Sequence, residues 1–127
     1  MHPTDRQLTT VLVVEDNPDV REMLSQALQL HGYKVLETSN GAEALDALKT
    51  GRIHVVLTDM RMPVMNGLDF AMRAKGCPEF SHIPIALLSA TPLPNSASAA
   101  KLFDALLVKP CQMERLLRTI DQLAGAG

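Results

Sequence analysis

Four short apolar stretches of this chain run into groups able to do chemistry. Val11–Val14 leads to Glu15 and Asp16, Ile53–Leu57 to Asp59, Ile83–Leu88 to Ser89, and Ala105–Val108 to Lys109 and Pro110. Three carboxylates, a hydroxyl and an ammonium brought together form a distinctive set. Carboxylates that close repel one another unless a cation or a proton relieves them. A hard divalent ion such as Mg²⁺ takes oxygen ligands of this kind and commonly keeps several waters, which leaves room for a phosphoryl oxygen. Singly, each group has a plainer explanation. Glu15 and Asp16 suit the start of a helix, where negative charge complements the dipole. Asp59 and Ser89 suit turns, and Lys109 suits a solvated surface. Their joint placement after successive apolar runs favours a shared site.

That placement depends on the elements that carry the residues. The first three of these runs have the length and β-branching of buried strands, with Pro84 at a strand start or edge. Tyr33–Glu37 and Ala105–Val108 are weaker strand candidates. Between the runs the period becomes helical. Asn17 caps a helix with Pro18 in its first turn and Val20, Met23, Leu24, Ala27 and Leu28 on its apolar stripe, ended by Gly32. Asn40 with Glu43 resembles a capping box, Leu45 and Leu48 share a face, and Gly51 closes that segment. Gly67–Lys75 reads as a third helix, and Met113, Leu116, Leu117, Ile120 and Leu123 form the inward stripe of a last one. Pro92 and Pro94 break regular structure, after which Asn95 or Ser96 starts a short Ala-rich helix reaching Leu102, expected to be the most mobile element.

Repeated strand–helix alternation with short connections predicts an α/β fold: a doubly wound, five-stranded parallel sheet with helices on both faces. In such sheets ligands gather at the carboxyl ends of the strands, where the candidate groups fall. At 127 residues and 46% hydrophobic, the chain suits one domain with a sizeable core. With 3% aromatic residues and no Trp, that core must be aliphatic.

A net charge of −2 with scattered Lys and Arg offers no field for nucleic acid. Cys77 and Cys111 lack a metal-ligand pattern and are too few for a disulfide framework, which predicts a reducing compartment. No apolar run is long enough to span a bilayer, so membrane association is not expected and a cytoplasmic location is. His2, His31, His54 and His82 show no paired spacing and are read as structural rather than metal ligands.

The chain resembles the receiver domain of bacterial two-component response regulators, the CheY-like family. The resemblance rests on Val11 to Asn17 with its Glu15-Asp16 pair, Leu57 to Gly67 with Asp59 and Pro63, Leu87-Leu88-Ser89-Ala90, and Leu106-Leu107-Val108-Lys109-Pro110, in the family's order and spacing. It implies strand order 2-1-3-4-5, with 1–10 an N-terminal extension, 11–124 the receiver domain and 125–127 a tail. It further implies Asp59 as phosphoacceptor and Mg²⁺ held directly by Asp16, by Glu15 mainly through water, and by the Arg61 carbonyl. Lys109 is implied to pair with Asp59 and then with phosphoryl oxygens, Ser89 to act as switch hydroxyl beside the small Ala90, and the Lys109–Pro110 peptide to be cis. Arg61 and Thr91, two residues beyond Asp59 and Ser89, are the candidates for tuning phosphoryl lifetime.

The partners so implied are a sensor histidine kinase or His-phosphotransfer protein and an output protein, with a phosphorylation-dependent dimer as a further expectation. Two positions depart from the family pattern. Leu106 stands where an aromatic ring often swings inward on activation, and Cys111 replaces the aromatic residue common after the Lys-Pro pair. Rival readings fit less well. A hydrolase of the haloacid-dehalogenase type favours a second Asp where Arg61 stands. A flavodoxin-like binding module needs a phosphate-cradling loop where this chain has carboxylates. A docking-only degenerate receiver would not need the intact acidic residues and Lys109.

Overall fold

The Val-rich run after Thr9 satisfies its backbone in a parallel ladder and buries side chains on both faces, the pattern expected of a central strand. In the computed structural model, which describes residues 6–90 and 101–125, this run is β1 (Thr10–Val14), with Val11 to Val14 at most 1% exposed. The remaining strands are β2 (Lys34–Thr38), β3 (Val55–Asp59), β4 (Ile85–Ser89) and β5 (Ala105–Val108). All pairs are parallel, in the order β2-β1-β3-β4-β5.

The described helices are α1 (Pro18–Leu30), α2 (Gly41–Leu48), α3 (Gly67–Lys75) and α4 (Met113–Gly125). Asn side chains start three of them. Asn17 accepts from the Asp19 and Val20 N–H groups, Asn40 from that of Glu43, and Asn66 from that of Asp69. At α2 the Glu43 carboxylate reaches back to the Ser39 N–H and hydroxyl, both at 2.8 Å. The predicted box thus closes one residue earlier than the Asn40 cap.

Alternation along the strands divides the core in two. Leu12, Val14, Val56, Ile85 and Leu87 pack with Ala44 and Leu48 of α2 and Phe70, Ala71 and Ala74 of α3. Val11, Val13, Val55, Leu57, Ala86, Leu88 and Leu107 pack with Leu24 and Leu28 of α1 and Leu116 and Ile120 of α4. The described helices therefore cover both faces, as expected.

Two strand starts and one helix position differ from the sequence reading. β3 starts at Val55 rather than Ile53 and runs through Asp59, and β4 starts after Pro84, which has no N–H to give the ladder. Asp59 and Ser89 end their strands, as expected. Met23, assigned to the inward stripe of α1, is 53% exposed; the buried positions are Leu24, Ser25 and Leu28. Thr91 and most of the expected Ala-rich helix lie outside the described residues.

At the amino ends of the strands, Asp121 of α4 accepts two hydrogen bonds from Arg6 (3.1 and 3.0 Å), one from the Tyr33 hydroxyl, and pairs with His31 at 2.9 Å. Burial works to raise the Asp121 pKa, but these partners together hold it down to about 2. His31 thus has a structural partner, as does His54, whose Nδ1 accepts from the Thr10 N–H. No helix among the described residues is long and apolar enough to cross a membrane.

Candidate functional site

Because the strands are parallel and in register, their carboxyl ends lie along one edge. Val14 pairs with Thr58, Asp59 with Leu88, and Ser89 with Val108. The residues that follow are therefore neighbours although up to 94 positions separate Glu15 from Lys109. One carboxylate oxygen each from Glu15, Asp16 and Asp59 fall within 4.8 Å of one another. Lys109 Nζ stands 3.3 Å from Asp59 Oδ2 and 3.6 Å from Glu15 Oε1. Ser89 is buried and accepts the Lys109 N–H at its carbonyl, while Ala90 is exposed beside it. The Lys109–Pro110 peptide is cis, as expected.

Each acid is held differently. Asp59 Oδ1 accepts from the Met60 N–H at 2.7 Å, which leaves Oδ2 turned toward Lys109. Glu15 is 3% exposed, and its carboxylate accepts the Asn17 N–H at 3.3 Å. Asp16 is exposed. Burial, the shared hydrogen bond with Asp16 and the charge of Asp59 push the Glu15 carboxyl up to about 7, against the opposing pull of Asn17 N–H and Lys109. Lys109 thus leaves the cluster short of positive charge. Three oxygen donors around an unrelieved negative site suit a hard divalent ion.

The raised pKa has a thermodynamic consequence. Between about 4.5 and 7 the folded chain holds a proton on Glu15 that the unfolded chain has lost, so this stabilisation is complete below the lower value and lost as pH rises through the upper. The total is about 3 kcal/mol at most. Asp121, held near 2, titrates below this window. Metal-free protein is expected to be less stable in urea near pH 7.5 than near pH 5, and saturating Mg²⁺ to reverse much of that loss. A flat metal-free profile would contradict this electrostatic account.

The loop after Asp59 folds back on itself. Met65 N–H bonds to Pro63 O at 2.7 Å with Val64 between them at φ +69°, a γ-turn of the strained positive-φ kind. A β-branched residue is disfavoured there, and the Val64 side chain, 84% exposed, recovers little by packing. Val64→Gly is expected to raise stability by about 1 kcal/mol, the relieved strain exceeding the added chain entropy. The urea midpoint checks it; an unchanged or lower value would show that the turn is unstrained. Met65 O in turn accepts the Gly41 N–H, tying the loop to the start of α2.

The structure brings together Glu15, Asp16, Asp59 and Lys109, with Ser89 and Ala90 on the adjoining strand end. Arg61 is exposed in the loop beyond Asp59, and Leu106, on β5, is 46% exposed. Sequence reasoning passed over Arg21, whose guanidinium donates to the Glu15 carbonyl at 2.9 Å, and Gly67, whose backbone lies against that of Asp59. The only signal for Arg21 was a cation one helical turn beyond Asn17.

This fold and this edge define a flavodoxin-like α/β domain with a cluster of three carboxylates at its strand ends. Residues 11–121 match the family described as the response regulator receiver domain. The chain belongs to that family, which serves phosphorelay signalling in two-component systems and is not one of metabolic enzymes. It is 28% identical over 118 residues to the polar-differentiation response regulator DivK of Brucella anthropi, covering 91% of this chain and 96% of that protein. Among solved structures it is similar to the chemotaxis response regulator CheY4 of Vibrio cholerae, with 32% identity, a TM-score of 0.82 and coverage of 91% and 98%. It is likewise similar to the response regulator TrrA of Thermotoga maritima, solved in complex with Mg(2+)-BeF, with 30% identity, a TM-score of 0.82 and the same coverage.

Proposed function

We propose that this chain, through a receiver domain at 11–124, is a Mg²⁺-dependent phosphoacceptor that takes a phosphoryl group onto Asp59 and thereby switches protein contacts. The observation that carries this reading is the gathering of Glu15, Asp16 and Asp59 within 4.8 Å, with Lys109 Nζ 3.3 Å from Asp59. The TrrA complex with Mg(2+)-BeF adds support from a relative with the same fold.

The Glu15, Asp16 and Asp59 carboxylates and the Arg61 carbonyl would hold the ion. When bound, Mg²⁺ screens the repulsion between these acids and the phosphoryl oxygens of the donor. Asp59 supplies the nucleophile. A bond forms between its carboxylate oxygen and phosphorus while the bond from phosphorus to the donor nitrogen breaks, the donor being a phosphohistidine of a sensor histidine kinase or His-phosphotransfer protein. Lys109 then follows the charge from the carboxylate to the new phosphoryl oxygens.

Ser89 donates its hydroxyl to the phosphoryl group, with Ala90 leaving space, and draws the segment after β4 inward. Leu106 has no ring to swing, so transmission to the output protein, or to a second phosphorylated copy, runs through Ser89. Water slowly hydrolyses the acyl phosphate and resets the switch. Arg61 and Thr91 set its lifetime. The cytoplasm, where such donors reside, is the proposed location.

The test is incubation with Mg²⁺ and a small-molecule phosphodonor, read by intact mass. One alkali-labile phosphoryl adduct that requires Mg²⁺ is expected. No adduct, or one equally fast after chelation, would reject the reading.

A further inference from the structure

Between the end of β1 and the start of α1 only Glu15, Asp16 and Asn17 intervene, so the acidic pair rests on a very short bridge. The Glu15 N–H donates to the Thr38 carbonyl at 3.0 Å, and the Asn17 N–H donates to Glu15 Oε2 at 3.3 Å. The oxygen of the Glu15–Asp16 peptide itself, the Glu15 carbonyl, accepts from Arg21 Nη1 at 2.9 Å. Arg21 Nε in turn lies 3.6 Å from Glu37 Oε1 at the end of β2, with the Arg21 side chain 23% exposed.

A peptide unit is planar, so a bond to its oxygen fixes the orientation of the whole unit and with it the start of Asp16. The guanidinium, always charged and carrying several donors in one plane, can hold a carbonyl and a carboxylate together. The Arg21 guanidinium meets the Glu15 carbonyl and Glu37, and its charge also reaches Glu43, all outside the three clustered carboxylates. Lys109 differs, since its ammonium lies against ligand oxygens of Asp59 and Glu15. A cation that stabilises the acidic bridge while leaving its ligand oxygens available is suited to metal binding.

We infer that Arg21 is a positioning residue for the divalent cation, orienting the Glu15–Asp16 peptide through the Glu15 carbonyl. This rests on the reading of the acidic cluster as a Mg²⁺ site. Partners that orient metal ligands typically change affinity by about 10- to 100-fold when removed.

The test compares parent, Arg21→Ala, Arg21→Lys and Glu37→Gln by calorimetric Mg²⁺ titration, thermal melting and amide spectra of the metal-free proteins. Arg21→Ala is expected to weaken Mg²⁺ binding about 10-fold, and Arg21→Lys, which keeps one donor, about 3-fold. Glu37→Gln, which keeps the bond to Glu15, should change it less than about 2-fold. In metal-free Arg21→Ala the Asp16 and Asn17 amide resonances should move while the β3 and β4 amides stay. The Mg²⁺ concentration giving half-maximal phosphorylation should rise by the calorimetric factor.

Parental Mg²⁺ affinity in Arg21→Ala, or a lower melting temperature with no change in affinity, would overturn the inference. So would an equal loss in Glu37→Gln, which would place the effect in the ion pair to β2. If Arg21→Ala does not fold, parental affinity in Arg21→Lys overturns it. A parent that binds Mg²⁺ with normal Arg21 variants sinks this inference alone; a parent that binds no Mg²⁺ sinks both it and the proposed function.

Discussion

Asp59→Asn is expected to abolish the Mg²⁺-dependent adduct while leaving the protein folded. An asparagine side chain has the same shape and keeps an Oδ1 acceptor for the Met60 N–H, now at 2.7 Å. What it lacks is the anionic oxygen that would attack phosphorus, and with it the charge facing Lys109 at 3.3 Å. Stability should not fall by the value of that ion pair. Asp59 is one of the neighbours that hold the Glu15 carboxyl up to about 7, and Lys109 stands 3.6 Å from Glu15. Without Asp59, Glu15 ionises more easily and keeps the ammonium to itself. The metal-free variant is therefore expected to match the parent or exceed it by up to about 1 kcal/mol near neutral pH. Intact mass and urea denaturation measure the two outcomes. An adduct as large as the parent's would move the acceptor elsewhere, and a variant destabilised by several kcal/mol would make Asp59 chiefly a structural residue.

Gly67→Ala is expected to have the largest effect on the fold of any single-methyl change near the site. A Cβ at Gly67 would lie 2.3 Å from the Asp59 carbonyl oxygen, 3.1 Å from Met60 Cα and 3.2 Å from Asp59 C. All three are backbone atoms of the segment that places Asp59, so no side chain can swing aside. Either the start of α3 or the end of β3 must move, and the Gly67 N–H to Met60 O bond at 2.8 Å strains with it. A loss of about 3 kcal/mol or more is expected in urea, together with slower phosphorylation from a displaced carboxylate. Gly51→Ala provides the contrast. At φ +74° with nothing within 4 Å, it meets only the backbone preference against a side chain there, about 1 kcal/mol. Equal effects at the two glycines would show that the close approach to Asp59 is not a constraint.

The strand and helix alternation, the Asn17 and Asn40 caps and the candidate acidic residues were legible because each is a local pattern. Apolar period, a capping side chain two or three residues before its N–H, and a carboxylate next to an apolar run can all be read within a few positions. The element ends were less legible. Ile53 and His54 look as strand-like as Val55, and only pairing with β1 and β4 decides that the ladder begins at Val55 and includes Asp59. Met23 fits a helical apolar period as well as Leu24 does, but the direction of the sheet relative to α1 turns Leu24 inward and leaves Met23 exposed.

Three buried strands and two weaker ones alternating with helices, and acids, a hydroxyl and a lysine at particular strand ends, can be read from the sequence alone. Local sterics and hydrophobic period settle such matters without reference to distant residues. The distances on which chemistry depends come from the packed fold: Lys109 against both Asp59 and Glu15, Arg21 on the Glu15 carbonyl, Gly67 against the Asp59 backbone, and Arg6 joined to Asp121 across the chain. Those contacts arise from strand order and register acting between segments far apart in sequence. A shift of one residue in register would send each side chain to the opposite face.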